Sequence, residues 1–471
     1  MKELADEVAP ALSTLFQASL DTGIVPADWR TTLDTPVFKK GERYKPENYR
    51  PISLTCIPCK LLEHIVVSHI MKYCEKHKIL CEEQHGFRSG HSCESQLLGF
   101  VDEVTEELER GHQVDLLVMD FSKAFDKVSH SLLVNKLQHY GISGTTNRWI
   151  TSFLAGRRQA VVVNGTASSY APVESGVPQG SVLGPSLFLL YINDLPSNLT
   201  ATARLFADDT ACHQTILSTA NQDSLQQDLD KMATWEDKWK MEFHPKKCST
   251  VHISKSQPSK HSYTLRGHTL AEETDVKYLG VTLSNDLKWN RHVTNICSKA
   301  NKTLGFLRRN LRISNPKVKR MAYQAMVRPI LEYSSPVWDP YTADLVDTLE
   351  KVQRRATRWI CNRYRQTSSV DDMLINLEMP TLASRRKDAR LVTFFKFHNK
   401  LTNINSKFLP SQSVRRRSQR RFNAQSYNIP SNRTEYRQKS FFPRTIPDWN
   451  ALPNVTVHVS TVDAFKQRLH K

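Results

Sequence analysis

Three aspartates have the types and spacing to do chemistry. Asp208 and Asp209 adjoin each other, and Asp120 closes the apolar run 116–119. A short, fully apolar run ending on an acid reads as a buried strand with a carboxylate at its tip. Residues 205–211 fit a very tight hairpin with Asp208-Asp209 in its turn. Adjacent strand ends would bring the three carboxylates within a few ångströms of one another. Like charges that close repel strongly unless a cation neutralises them, so the set calls for a hard divalent metal with oxygen ligands. Two Mg²⁺ ions about 4 Å apart, or Mn²⁺ in their place, suit in-line attack on a phosphate. One ion activates the attacking hydroxyl and the other steadies the leaving pyrophosphate. Alone, an Asp-Asp pair is more often plain turn chemistry, because aspartate hydrogen-bonds to its own backbone there. The surrounding motifs decide between the two.

The elements that must position these acids are legible from periodicity. Residues 1–35 read as a short amphipathic helix (Leu4, Val8, Leu12, Leu15, Phe16, Leu20) followed by a turn between Gly23 and Pro26. Residues 35–54 are polar and proline-punctuated, a hairpin or loop carrying Lys39, Lys40, Arg43 and Arg50. Helical spacing runs through 60–73 and again from about 92 to 110. Residues 160–163, with Asn164-Gly165 after them, give a strand–turn–strand hairpin. Leu225, Leu229, Met232, Trp235, Trp239 and Phe243 stripe a further helix, and 251–253 and 278–283 return to strand character. Beyond Trp289 the pattern is helical and basic to about Tyr364. Residues 406–440 are polar and arginine-rich, the composition of a flexible linker or arm.

At 471 residues the chain can bury several cores, and one domain per ~150 residues gives three. An apolar content of 39% is a little low for a globular chain, so part of it should stay solvated or bind something. No apolar run is long enough to span a membrane, and Glu3, Asp6 and Glu7 exclude a signal or transit peptide. Nine scattered cysteines read as free thiols in a reducing setting, which points inside the cell, to cytoplasm and nucleus. The net charge of +18 is unevenly placed. Residues 291–471 hold 35 Lys/Arg against 12 Asp/Glu, a balance of +23, and the first 290 carry −5. A basic region interleaved with Trp338, Trp359, Tyr364, Phe394, Phe395 and Phe397 suits a polyanion such as nucleic acid. Arg354, Arg355 and Arg358 fall within about one helical turn, opposite Val352, Ala356, Trp359 and Ile360. With Arg415, Arg416 and Arg417 they are the candidate nucleic-acid contacts.

The motifs run in a fixed order: Asn48-Tyr49-Arg50-Pro51-Ile52-Ser53, Gln84-His85-Gly86-Phe87-Arg88, Asp120-Phe121-Ser122-Lys123-Ala124-Phe125-Asp126, Ser175-Gly176-Val177-Pro178-Gln179-Gly180, Phe206-Ala207-Asp208-Asp209, Lys246-Lys247, and Tyr278-Leu279-Gly280-Val281. This series resembles the reverse transcriptase of non-LTR (LINE-type) retrotransposons, most closely the jockey-like branch. The resemblance covers about residues 16–364 and continues weakly through 440–469. It implies an α+β right-hand polymerase with an antiparallel palm sheet and a helical, basic C-terminal region. The expected division is an N-terminal helical extension (1–35), interleaved fingers and palm (36–285), a helical thumb (286–365) and a partly flexible basic region (366–471).

Carried over by position, the resemblance makes Asp120, Asp208 and Asp209 the metal-binding palm carboxylates of an RNA-directed DNA polymerase. Its substrates would be an RNA template, a DNA primer and dNTPs. Phe125 would press on the sugar of the incoming nucleotide, leaving no room for a 2′-hydroxyl. Arg50, with Lys39 or Lys40, would clamp the triphosphate. Gln179 and Gly180 sit in a Gly/Pro-rich loop able to approach nucleotide and template closely. Lys247 takes the place of a lysine suspected of protonating the pyrophosphate. Asp126 is expected to cap the following helix rather than bind metal. Cys56, Cys59, His64 and His69 mimic a zinc knuckle, yet an apolar helical stripe runs through them and would point the two histidines about 140° apart. Zinc is therefore rejected. Full elements of this type usually add an endonuclease, which a longer form would supply. The alternative reading is a truncated, catalytically silent remnant that only binds RNA or DNA.

Overall fold

In the computed structural model, residues 3–312, 314–365, 367–405, 409–412 and 423–469 are described. The central sheet has five strands in the order Ala271–Glu272, Ser249–Ile253, Gln113–Asp120, Asp209–Ile216 and Thr202–Phe206. All neighbours are antiparallel except the short edge strand Ala271–Glu272, which runs parallel to Ser249–Ile253. Gln113–Asp120 lies in the middle and is buried along most of its length. That explains why 116–119 reads as a continuous apolar run instead of an alternating one. Leu117, Met119 and Leu205 pack toward the helices His130–His139, Leu183–Ile192 and Thr219–Trp239. On the opposite face Val114, Leu116 and Val251 meet the helix Cys93–Glu109. Each such leucine or valine contributes roughly 1.5–3 kcal/mol relative to leaving it exposed.

The second sheet is built around the strand Thr31–Phe38. Thr31–Phe38 pairs antiparallel with Tyr49–Leu54 and parallel with Arg157–Val163. Arg157–Val163 turns back on Thr166–Ala167 through Asn164 and Gly165, at φ 51° and 83°. Two consecutive left-handed residues are what the Asn-Gly signal calls for. The N-terminal helix Ala5–Thr22 packs on the helix Gly144–Leu154, where the Ser19 hydroxyl accepts from Trp149 Nε1 at 2.9 Å. The strand Thr31–Phe38 crosses the division expected at residues 35/36.

Beyond the sheets the chain is helical. Asn290–Asn310, Pro316–Met326 and Ala343–Cys361 share one core with Cys93–Glu109, Leu382–His398, Phe441–Asn450 and Val462–Leu469. The segment 423–440, expected as part of a flexible arm, is tied down: Asn423, Ser426 and Tyr427 are buried, and Arg437 reaches Asp102 at 2.5 Å and Glu106 at 2.9 Å. Composition misled there because Arg437 serves a buried acid, Asp102. Residues 278–283 are also not one strand. Leu279 and Gly280, at φ 44° and 85°, turn the chain between Asp275–Tyr278 and Val281–Ser284. No helix among the described residues is long and apolar enough to cross a membrane. All nine cysteines are free.

Candidate active site

Asp120 and Asp209 stand directly opposite each other across the two central strands. The pairing runs unbroken from Gln113↔Ile216 to Asp120↔Asp209, so both carboxylates emerge at the same sheet end, as cross-strand partners do. The turn that returns the chain is Ala207-Asp208, with Phe206 paired to Asp209. It therefore lies one residue earlier than the sequence suggests. Ala207 sits at φ 53°, a left-handed conformation that residues with a Cβ rarely adopt.

The charges here are unbalanced. Asp209 still meets solvent, but protein crowding, then Asp208 and Asp120, push its carboxyl up to about 6. Desolvation also raises Asp208, with Asp120 adding to it, while Arg50 and Lys39 pull both carboxyls back down. Acids that repel each other on neighbouring strand ends are the donor set for a hard divalent cation, so the residues fit the expected metal. They do not form a closed cage: among the described residues no three His, Cys, Asp or Glu side chains are gathered as one. Asp120 Oδ2 instead meets Lys247 Nζ at 3.1 Å. The turn Pro245–Lys247 is held there by His244 N, which donates to Asp120 O at 2.7 Å.

Phe125 lies in the short turn Ala124–Asp126, half-buried and stacked on Phe188 with ring centroids 4.6 Å apart. Its carbonyl accepts from Val177 N at 2.8 Å, which ties it to the loop carrying Gln179. Gln179 Nε2 donates to Asp126 Oδ1 at 2.8 Å, and Gln179 O accepts from Ser53 N at 2.7 Å. Gly180 is required beside it: at φ 126°, an added Cβ would lie 2.6 Å from Ser53 O. The expectation for Asp126 needs correction. The next helix, His130–His139, begins after Ser129, so Asp126 caps nothing and holds the Gln179 amide instead.

Arg50 and Lys39 are exposed at the hairpin of Thr31–Phe38 and Tyr49–Leu54, and their charges act on Asp208 and Asp209. Lys40 is exposed next to Lys39. Arg354 and Arg355 are exposed on the helix Ala343–Cys361, and Arg358 is half-buried; Val352, Ala356, Trp359 and Ile360 face the core. Arg415, Arg416 and Arg417 lie outside the described residues. Sequence reasoning missed Glu63. This carboxylate is fully buried in the helix Ile57–Lys76, and its Oε2 accepts from Val182 N at 2.7 Å and Leu183 N at 2.9 Å. It thereby caps the helix Leu183–Ile192 just after the Gln179 loop. An acid inside an apolar helical stripe was the available signal.

Residues 37–283 match the family described as reverse transcriptase (RNA-dependent DNA polymerase). That range holds Lys39, Arg50, Asp120, Phe125, Gln179, Asp208, Asp209 and Lys247. The chain is similar to the RNA-directed DNA polymerase from mobile element jockey of Drosophila melanogaster, 30% identical over 62% of this chain and 33% of that protein. The protein of the same name from Drosophila funebris is 28% identical over 94% of this chain and 48% of its own length. The probable RNA-directed DNA polymerase from transposon BS of Drosophila melanogaster is 27% identical, covering 87% and 47%. The chain spans between a third and about half the length of these relatives. They bear out the jockey-like resemblance read from the motifs. More than half of the chain falls within the matching model, and the chain belongs to the reverse transcriptase family.

Proposed function

We propose that this chain is the RNA-directed DNA polymerase of a non-LTR retrotransposon, extending a DNA primer on an RNA template with dNTPs. The observation that carries the reading is the in-register pair Asp120 and Asp209, with Asp208 in the adjoining turn and Arg50 and Lys39 acting on them. Reverse transcriptases generally use divalent metal ions. Two Mg²⁺ ions bound at Asp120, Asp208 and Asp209 would supply activation of the primer hydroxyl and charge neutralisation on the triphosphate. Around them each side chain has its own task. Arg50 and Lys39 hold the triphosphate as cationic donors. Phe125, braced by Phe188, closes the space a 2′-hydroxyl would need. Gln179 and Gly180 line the approach of nucleotide and template. Lys247 offers an Nζ proton to the departing pyrophosphate once Asp120 is engaged elsewhere. Arg354, Arg355 and Arg358, with Arg415, Arg416 and Arg417, grip the nucleic-acid backbone. An endonuclease would come from a longer form of the element.

Primer extension by the purified chain on poly(rA)/oligo(dT) with Mg²⁺ tests this reading. Wild type should extend, and Asp208→Asn should not, while both retain the primer–template. No extension by wild type, or equal extension by both, refutes it.

A further inference from the structure

The hairpin carrying Asp208 and Asp209 is braced from the side by residues 83–86. Leu205 N donates to Glu83 O at 2.9 Å, and His85 N donates to Leu205 O at 2.8 Å, making a parallel bridge between Gln84 and Leu205. Gln84 is 1% exposed. Its Oε1 accepts from Ala207 N at 3.0 Å and from Gly86 N at 2.8 Å. Ala207 is the left-handed residue immediately before Asp208. Contact here is backbone to backbone: a Cβ on Gly86 would lie 2.4 Å from Ala207 N. The brace is itself anchored. Arg88 binds both carboxylate oxygens of Glu75, at 2.9 and 3.0 Å, and donates to Cys81 O and Gln84 O.

The Gln84 side chain is half used. Its Nε2 is buried without a hydrogen-bond partner. Burying an unsatisfied amide is costly, and an apolar residue would fill the same volume without that cost. What glutamine adds at this position is the acceptor oxygen.

We propose that Gln84 is a positioning residue: its amide oxygen fixes the Ala207 N–H and so holds the turn that sets Asp208 and Asp209 against Asp120. This rests on the polymerase reading above. Gln84 touches neither substrate nor the reacting atoms, and acts through the backbone of the hairpin.

The test uses the full chain as wild type, Gln84→Met and Gly86→Ala. The first substitution keeps the volume and removes the acceptor. The second keeps Gln84 and drives a methyl into the Ala207 backbone. Single-turnover extension on poly(rA)/oligo(dT) is measured at saturating dNTP, with Mn²⁺ binding to the same complex followed by electron paramagnetic resonance. Both variants should lose on the order of 10- to 100-fold in saturating rate, as small misplacements of reacting groups do. Mn²⁺ affinity should fall with it, while primer–template affinity and the KM for dNTP stay near wild type. A Gln84→Met chain with wild-type rate and Mn²⁺ affinity overturns the assignment. So does a loss confined to KM or to primer–template binding. If neither variant folds, the segment is part of the fold and not a positioning device. Failure of wild type both to extend and to bind Mn²⁺ would instead strike the polymerase reading itself.

Discussion

The Gln179 side-chain amide donates to Asp126 Oδ1 at 2.8 Å, joining the turn that carries Phe125 to the loop that reaches Ser53 in the strand Tyr49–Leu54. Asp126→Ala frees the Gln179 amide, whereas Asp126→Asn keeps an acceptor oxygen in place. A hydrogen bond to a charged group is worth about 1.5–3 kcal/mol, so the alanine variant should raise the KM for dNTP on the order of tenfold or more. The asparagine variant should stay much closer to wild type. Steady-state extension kinetics over a dNTP series decide it, and equal KM values for alanine and wild type would sever Asp126 from nucleotide binding.

Phe125 leans its ring on Phe188 at 4.6 Å and cannot retreat without breaking that stack. Replacing it with Val or Ala opens a cavity where a ribose 2′-hydroxyl would lie. Ribonucleotides should then be incorporated, measured as the ratio of kcat/KM for dNTP over rNTP. An unchanged ratio returns Phe125 to an ordinary packing role.

Lys247 Nζ meets Asp120 Oδ2 at 3.1 Å with both groups partly in solvent. The pair contributes little to stability at such exposure. Lys247→Met should lower the saturating extension rate on the order of a hundredfold, the range of a lost general acid. It should also lower the Mg²⁺ concentration needed for half-maximal rate, because Asp120 no longer pairs with a competing cation. A rate near wild type at saturating Mg²⁺ would make Lys247 a bystander.

Glu103, on the helix Cys93–Glu109, meets Arg204 of the hairpin strand Thr202–Phe206 at 2.7 Å. Burial raises its carboxyl, but bonds and charge from His213 and Arg204 outweigh that and bring it down to about 2. A carboxyl lowered in the folded state stabilises fully above its unfolded value near 4.5. That stability is lost as pH falls toward about 2, because the unfolded chain takes up the proton first. Urea melts of wild type and Glu103→Gln should therefore differ by a constant amount above pH ~5, and the gap should narrow progressively as pH falls from there toward about 2. A gap that does not narrow with acid would remove Glu103 from the linkage.

Much of the site was legible because its spacing is local. Asp120 ends an apolar strand and Asp209 begins its partner after the tight turn that holds Asp208, so strand pairing alone sets Asp120 opposite Asp209. The illegible part is carried by side chains whose partners lie far along the sequence. Gln84 reaches Ala207, Glu63 reaches Leu183, and Asp126 reaches Gln179; neither periodicity nor turn chemistry encodes such partners. The same holds for Arg437. Its neighbours Arg433 and Lys439 suggest a solvated basic stretch, yet its own partners Asp102 and Glu106 lie on a helix more than three hundred residues earlier.

That arginine changes what truncation should do. From sequence, deleting everything beyond about Tyr364 should weaken template binding and spare the chemical step. In the fold, however, the helix Leu382–His398 packs into the core shared by Ala343–Cys361 and Cys93–Glu109. Truncation would leave Asp339 without Arg386, Arg390 and Arg444, and Asp102 without Arg437. A buried charge stripped of its partner costs about 3–5 kcal/mol, which is a large share of a domain's stability. A chain ending at residue 364 should therefore unfold at lower temperature, without a cooperative transition, and extend poorly even at saturating template. Changing Arg415, Arg416 and Arg417 to glutamine is a different operation. Those charges should act only through counterion release, flattening the salt dependence of binding by roughly one unit of slope for each phosphate they no longer neutralise and leaving the melting curve unchanged. Thermal melts and salt-series binding of the two chains separate the effects. A truncated chain that melts and extends like wild type would show that the C-terminal helices are dispensable to the polymerase core.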